Sequence, residues 1–261
     1  MKINHLLRSY EQGNRNFIGI DLKNTDLSQV MLIAVDMSLA NLMGTNLSRA
    51  FLTKSNLTGA ILNGADLTCA KMSQVQLKDA DLTKANLTGA FMVKSVLVGT
   101  KLSGANLSRA NLRGSDLRGA NLCNSNLYRS NFRGANLCGA NLGGANLGGS
   151  KLSGATLTYV SFKGVDLTGA LMKDVDLSGA NLENVDLSGS RLNNSNLTGA
   201  NLQGAKLREA NLRGANLTNA NLKGADLTGA IFEPSYLREP LFWEPDSEVF
   251  SYYAFCYTEL G

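Results

Sequence analysis

The sequence predicts an all-β solenoid: one chain winding into a four-sided parallel coil of 20 residues per turn. Three observations carry this expectation. Stepping by five from Phe17, every stop through Leu237 is Leu, Met or Phe, a run of 45 positions without a break in register. Second, a period of five suits neither an α-helix, where each step rotates the side chain by a further ~140° and scatters the leucines around the axis, nor a strand, where odd steps alternate faces. Third, apolar residues at the position before the leucine occur at Met31, Phe51, Ile61, Phe91, Val96, Leu171, Ile231 and Tyr236, and five of these eight share one remainder on division by 20. That remainder selects four repeats per turn over three.

Each position of the repeat then acquires a reason. The leucines point at a common axis, and the residue two before each, nearly always Ala, Ser, Thr or Val, faces inward beside them because only small groups fit between stacked leucines. Asn and Gly are assigned to the corners, Gly for its tolerance of positive φ. At ~4.8 Å per stacked coil, about 11 coils make a rod ~54 Å long.

Composition narrows the function classes. The chain has 261 residues, 44% apolar and 18% charged, with a net charge of +4, enough for a large core and unlike a disordered chain. His5 is the only histidine, and Cys69, Cys123, Cys138 and Cys256 form no CxxC pair, so neither a histidine-based catalytic site nor a zinc site is expected. No cofactor, metal or catalytic residue is assigned. The first residues carry charges and no signal-like apolar run, and no stretch of ~18 apolar residues occurs, so a cytoplasmic protein without a membrane span is expected.

The tandem Ala-(Asn/Asp)-Leu-x-Gly, as in Ala105-Asn106-Leu107 and Ala215-Asn216-Leu217, resembles the pentapeptide-repeat family over roughly residues 15–239. The lead-in Tyr10-x-x-Gly13-x-Arg15-Asn16-Phe17 is similar to that of cyanobacterial members. The resemblance implies a right-handed quadrilateral β-helix. It also implies two kinds of role, regulation of cell differentiation through protein contacts and protection of type II topoisomerases by an acidic, DNA-like rod.

The ends read differently from the rod. Residues 1–14 are expected to form an N-terminal capping helix, with Ile3, Leu6, Leu7 and Tyr10 on one face and Gly13 as its stop. Residues 240–261 form a C-terminal cap or docking segment. Residues 233–261 hold all three prolines, the only tryptophan, eight of the 17 aromatics and six acids against one base. Trp243, Phe250, Tyr253 and Tyr257 are the side chains assigned to capping or to docking, dimerisation included.

Charge divides the rod. Residues 82–165 hold ten bases and the single acid Asp116, whereas residues 166–261 hold seven bases and 13 acids. Within the basic part, Arg109 and Arg129 are 20 apart, as are Arg113 and Arg133, with Asn111 and Asn131 between them. The spacing predicts two stacked Arg-x-Asn-x-Arg rows on one corner, four guanidiniums that ask for an anionic counterpart. These six residues are the candidate partner-binding set. The column of Met31, Phe51, Phe91, Leu171 and Ile231, with Lys71, Lys151 and Arg191, either projects outward or tucks against neighbouring coils. The expected function is a non-catalytic, regulatory protein-interaction scaffold. An acidic DNA mimic is the alternative, opposed by the basic middle, and a basic-face nucleic-acid binder ranks third.

Overall fold

The structure is a computed structural model that describes residues 3–232. With one exception, the position before each core leucine forms a parallel bridge to the residue 20 further on among the described residues, from Asn16 to Asp36 through to Asn211 and Ile231. Four repeats therefore make one turn. We name the four faces by the first bridged residue of each column: face I from Asn16, face II from Asp21, face III from Asp26 and face IV from Met31.

One repeat shows why the pattern closes. Leu42 N–H donates to Ile61 O of the next coil at 2.7 Å, Gly44 N–H to Asn63 O at 3.0 Å, and Ile61 N–H returns to Ala40 O at 2.9 Å. Thr45 N–H closes a tight turn on Leu42 O at 3.1 Å, with Gly44 at φ 62° in its third position, the signature of a type II turn. The remaining N–H, on the first turn residue, goes to the Asn or Asp side chain two residues back, as from Ser38 to Asp36 Oδ1 at 2.9 Å. All five backbone donors of the repeat are then satisfied. Asn and Asp thus sit on the flat face and reach forward to cap the corner as Asx acceptors, rather than occupying the corner itself. Glycine proves unnecessary at the corner: among the described residues 20 non-glycine residues adopt positive φ, including Leu39 and Tyr159. Each costs about 1–2 kcal/mol of local strain, against which the coil sets an inter-coil hydrogen bond of the same residue, as from Leu39 N–H to Thr58 O at 2.9 Å, though Tyr159 N–H makes none among the described residues.

The leucine column is buried from Phe17 to Leu227, and the small residues beside it are almost all buried too. Most buried hydroxyls in the small position bond to carbonyls, as Thr45 to Leu22 O at 2.7 Å and Ser55 to Leu32 O at 2.9 Å, whereas those of Ser150 and Ser190 find no partner among the described residues. At the N-terminal end, α1 (Ile3–Glu11) inserts Leu6 fully into this core while Ile3 and Tyr10 pack against it. Gly13 N–H bonds Tyr10 O and Asn14 N–H bonds Ser9 O, a Schellman closure that stops the helix at the glycine. The segment 240–261 lies outside the described residues.

The ladder loosens around one coil, where the bonds Ser161 N–H to Ala140 O, Leu142 N–H to Ser161 O, Leu157 N–H to Asp176 O and Asp176 N–H to Ala155 O are all missing among the described residues. Between the coil at 154–165 and the next at 173–186, face II lacks the Ser161–Asn181 bridge. Neither Phe162 N–H to Asn181 O nor Asn181 N–H to Val160 O is made among the described residues. Faces III and IV remain joined, by Leu167 N–H to Asp186 O at 2.9 Å and Leu152 N–H to Leu171 O at 2.8 Å. The wedge holds a cavity of about 300 Å³ lined by Val160, Phe162, Asn181 and Glu183 among others. Val165 and Val185 are the only pair of valines stacked 20 apart in the small position, and Phe162 replaces a leucine in the same coil. The coil is too bulky on that side to sit down on its neighbour.

Candidate protein-interaction face

Face IV departs from the repeat. Its bridge column runs Met31, Phe51, Lys71, Phe91, Asn111, Asn131, Lys151, Leu171, Arg191, Asn211 and Ile231, with no acid anywhere, while every other column carries aspartates. The apolar members project outward: Met31 is 57% exposed and Phe91 41%. Of the two orientations open in the sequence, the structure shows the outward one. Lys71 Nζ lies 3.6 Å above the Phe91 ring, a cation–π contact on the surface. Beside it is an open groove of about 430 Å³ lined by Gln29, Arg49, Phe51, Cys69 and Lys71.

Where residue 31 is Met, the turn loses its Asx acceptor, and the Ile33 N–H instead bonds the Tyr10 hydroxyl at 3.2 Å. The apolar substitution on face IV is therefore also the docking point of α1. Arg15 holds that tyrosine from the other side, its guanidinium 3.9 Å from the ring and its Nη1 donating to Tyr10 O at 2.8 Å.

The arginine rows correct one expectation. Arg109 and Arg129 are corner residues before Asn111 and Asn131, and Arg113 and Arg133 are corner residues after them. They occupy two successive corners and frame face IV, because a turn separates each arginine from its neighbour across the asparagine. Arg109 and Arg129 have φ 58° and 55°. All four are exposed, and none has an acidic partner among the described residues. The one acid of the basic segment, Asp116 on face I, is held by Arg118 through Nη2–Oδ2 at 2.7 Å and Nε–Oδ1 at 2.9 Å. That side-chain hydrogen bonding keeps its carboxyl below the ordinary range. Asn111 and Asn131 lend their oxygens to the turns, accepting from Arg113 and Arg133 N–H at 3.2 Å. Their placement is thus explained by the coil. Arg113, Asn131, Arg133 and Gly134 line an open groove of about 380 Å³.

Apolar stripe and arginine frame are one continuous face. The sequence treated them as two features, though the remainders on division by 20 place the arginines two positions either side of the apolar column. Trp243, Phe250, Tyr253 and Tyr257 lie outside the described residues.

Family comparison now adds to this geometry. Pentapeptide repeats match the chain in overlapping segments running from 16–49 to 195–233. The chain belongs to the pentapeptide-repeat family. Members of this family fold as right-handed quadrilateral β-helices, in keeping with the four-repeat turn. The chain is similar to HetL, a pentapeptide repeat protein involved in heterocyst differentiation regulation from the cyanobacterium Nostoc sp. strain PCC 7120. The identity is 35%, over 90% of this chain and 98% of that one, with a TM-score of 0.35. It is also similar to QnrB1, a plasmid-mediated fluoroquinolone resistance protein, at 20% identity over 83% and 91% of the two chains, with a TM-score of 0.31. A pentapeptide repeat protein of the Arabidopsis thaliana thylakoid lumen matches at 23% identity over 43% and 68%, with a TM-score of 0.23. No curated protein sequence matches. Among the described residues, no helix is long and apolar enough to cross a membrane.

Proposed function

We propose that this pentapeptide-repeat protein is a non-catalytic interaction rod that regulates a protein partner by binding it along face IV. The supporting observation is the face itself: exposed Met31, Phe51 and Phe91 leading into four arginines without acidic partners among the described residues. An apolar patch continuous with unneutralised guanidiniums suits a protein surface that offers both apolar and acidic groups. In this reading residues 1–14 cap the rod, residues 15–239 form its roughly eleven coils at ~4.8 Å each, and residues 240–261 cap or dock. HetL is described as involved in heterocyst differentiation regulation, and signalling or differentiation control in a cyanobacterium is the role we propose here.

The acidic DNA mimic is the weaker reading, since a bridge column without acids flanked by arginines repels the surfaces that bind DNA. Capture from nuclease-treated extract with the full-length chain and its Arg113→Glu/Arg133→Glu variant tests the proposal. A protein recovered near stoichiometry by the wild type and lost with the variant supports it. Equal recovery by both refutes it, and recovery of a type II topoisomerase would put the mimic in its place.

A further inference from the structure

Face IV is the basic side of the rod. From Met31 to Gly134, neither its bridge column nor the two corners that border it hold an Asp or a Glu. Exposed cations extend the arginine frame toward the apolar end. Arg49 sits in the corner column of Arg109 and Arg129, while Lys54 and Lys94 share the other corner with Arg113 and Arg133. None of the three has an acidic partner among the described residues. Aspartates on the adjoining faces are already engaged, Asp66 by the Thr68 N–H at 2.9 Å and Asp116 by Arg118. The backbone of the face is engaged as well. Lys71 N–H donates to Ala50 O, and Lys71 O accepts from Leu52 N–H, each at 2.8 Å, so no free strand edge is offered there.

We infer that face IV seats an acidic amphipathic α-helix of its partner, lying along the rod with its apolar seam on Phe51 and Phe91 and carboxylates on both flanks reaching the two cationic corners. The inference rests on face IV being the partner-binding surface and names what that surface binds. Charge is complementary, because an acid-free face framed by unpaired cations favours carboxylates. Width selects a helix. Arg109 and Arg113 are four residues apart, at most ~14 Å when extended, and a helix with its side chains is ~10–12 Å across. A strand sends successive side chains toward and away from the surface it lies on, so it cannot serve both corners, whereas a helix projects to both sides. Pitch agrees. Arginines stacked in one corner repeat every ~4.8 Å, close to the ~4.5 Å between helix positions i and i+3. Phe51 and Phe91 are two coils apart, ~9.6 Å, near the ~10.5 Å from i to i+7. The groove at Arg49, Phe51 and Lys71 and the groove at Arg113 and Arg133 open on opposite borders of the face, one for each flank of the helix.

Designed peptides titrated against the full-length protein by fluorescence anisotropy test this seat. The probe is a helical peptide with a leucine seam and glutamates on both flanks. One control scrambles the same residues out of helical register, and a second carries a central proline that breaks the helix. The probe should bind about tenfold more tightly than either, since it alone presents seam and flanks together. Arg109→Glu/Arg129→Glu should weaken the probe by about tenfold and should prefer a peptide with lysines on one flank. Glu209 already occupies that corner column at φ 56°, so this variant keeps the fold, with circular dichroism as the check. Lys78→Glu/Lys101→Glu, away from face IV, should change nothing. Equal affinity for probe and controls would overturn the helix seat. So would a variant that shows no preference for the lysine flank, or tighter binding of a short DNA duplex at the same salt. If partner capture needs Arg113 and Arg133 while the probe binds no better than its controls, this inference alone falls. If the charge swap works and capture ignores Arg113 and Arg133, the functional reading alone falls.

Discussion

Phe132 and Phe162 both replace a leucine in the core column, yet the rod closes around one and opens around the other. Phe132 is fully buried and keeps its ladder bond to Lys151 O at 2.7 Å, whereas Phe162 makes no such bond to Asn181. The difference lies in the small residues. Phe132 is flanked by Ser130 and Ala135, stacked under Ser150 and Ala155; Phe162 is flanked by Val160 and Val165, and Val165 stacks under Val185. An aromatic ring fits this core when its neighbours yield the volume and forces the coils apart when they do not. Repeat arrays depend on the interface between successive units, so one poor interface weakens the rod locally and leaves the register intact.

The largest effect should come from placing a charge at each phenylalanine. Phe132→Lys puts an ammonium in a closed, dry core and should abolish folding, a loss of several kcal/mol. Phe162→Lys sits beside the 300 Å³ cavity, where the side chain can reach water along its stem, and should leave a folded, weakened rod. Circular dichroism with urea unfolding separates them. Two variants of equal stability would mean that the opening does not exist in solution.

Transplanting the crowding is the next test. Ser130→Val, Ala135→Val and Ala155→Val together reproduce around Phe132 the environment of Phe162. Overpacking of this kind costs about 1–3 kcal/mol per site, and amide exchange at Phe132 and Lys151 should rise toward that of Phe162 and Asn181. The reverse change is gentler. Val165→Ala removes the stacked valine pair and should raise stability by about 1 kcal/mol. Asp186 N–H, unpaired to Val165 O in the wild type, should become protected from exchange. If Val165→Ala destabilises the rod instead, the crowding explanation is wrong.

The sequence revealed the fold because the five-residue period excludes both common secondary structures and every leucine repeats the message. It revealed the turn number only through the few residues, such as Met31 and Phe91, that break the Asn/Asp position. The Asx role of those residues was hidden, since the same types serve corners and flat faces equally well and only the N–H of the following turn decides. The arginines could be paired by their spacing of 20, but seeing them as a frame required knowing that residues 109 and 113 lie on opposite sides of Asn111 with a corner at each. The opening at Val160–Val165 was written in the valines, though one bulky residue is tolerated at Val35 or Val75, where the stack above is serine. Reading it takes volumes summed across neighbouring coils.

Acid should rank the two regions by charge partner and not by ladder integrity, with the smallest effect of the set. Asp226, in a closed stretch of face III, accepts from the Thr228 hydroxyl at 2.7 Å and from Arg208, and these hydrogen bonds lower its carboxyl to about 2. Asp176, beside the opening, is lowered by the Ser178 N–H at 3.0 Å and by the Ser178 side chain, with help from Asn196. A carboxyl lowered by folding adds stability that is complete above its unfolded value near 3.9 and fades as pH falls through the folded one. For Asp226 that window runs from about pH 4 down to about pH 2. Asp226→Asn keeps the acceptor for the turn and removes the charge facing Arg208, so it should flatten the acid limb of a pH–stability curve. Asp176→Asn should flatten it less, because no cation faces that carboxylate in its hydrogen-bonded set. A larger response at 176 would mean that protonation acts by widening the opening, and that the ladder governs the acid stability of this rod.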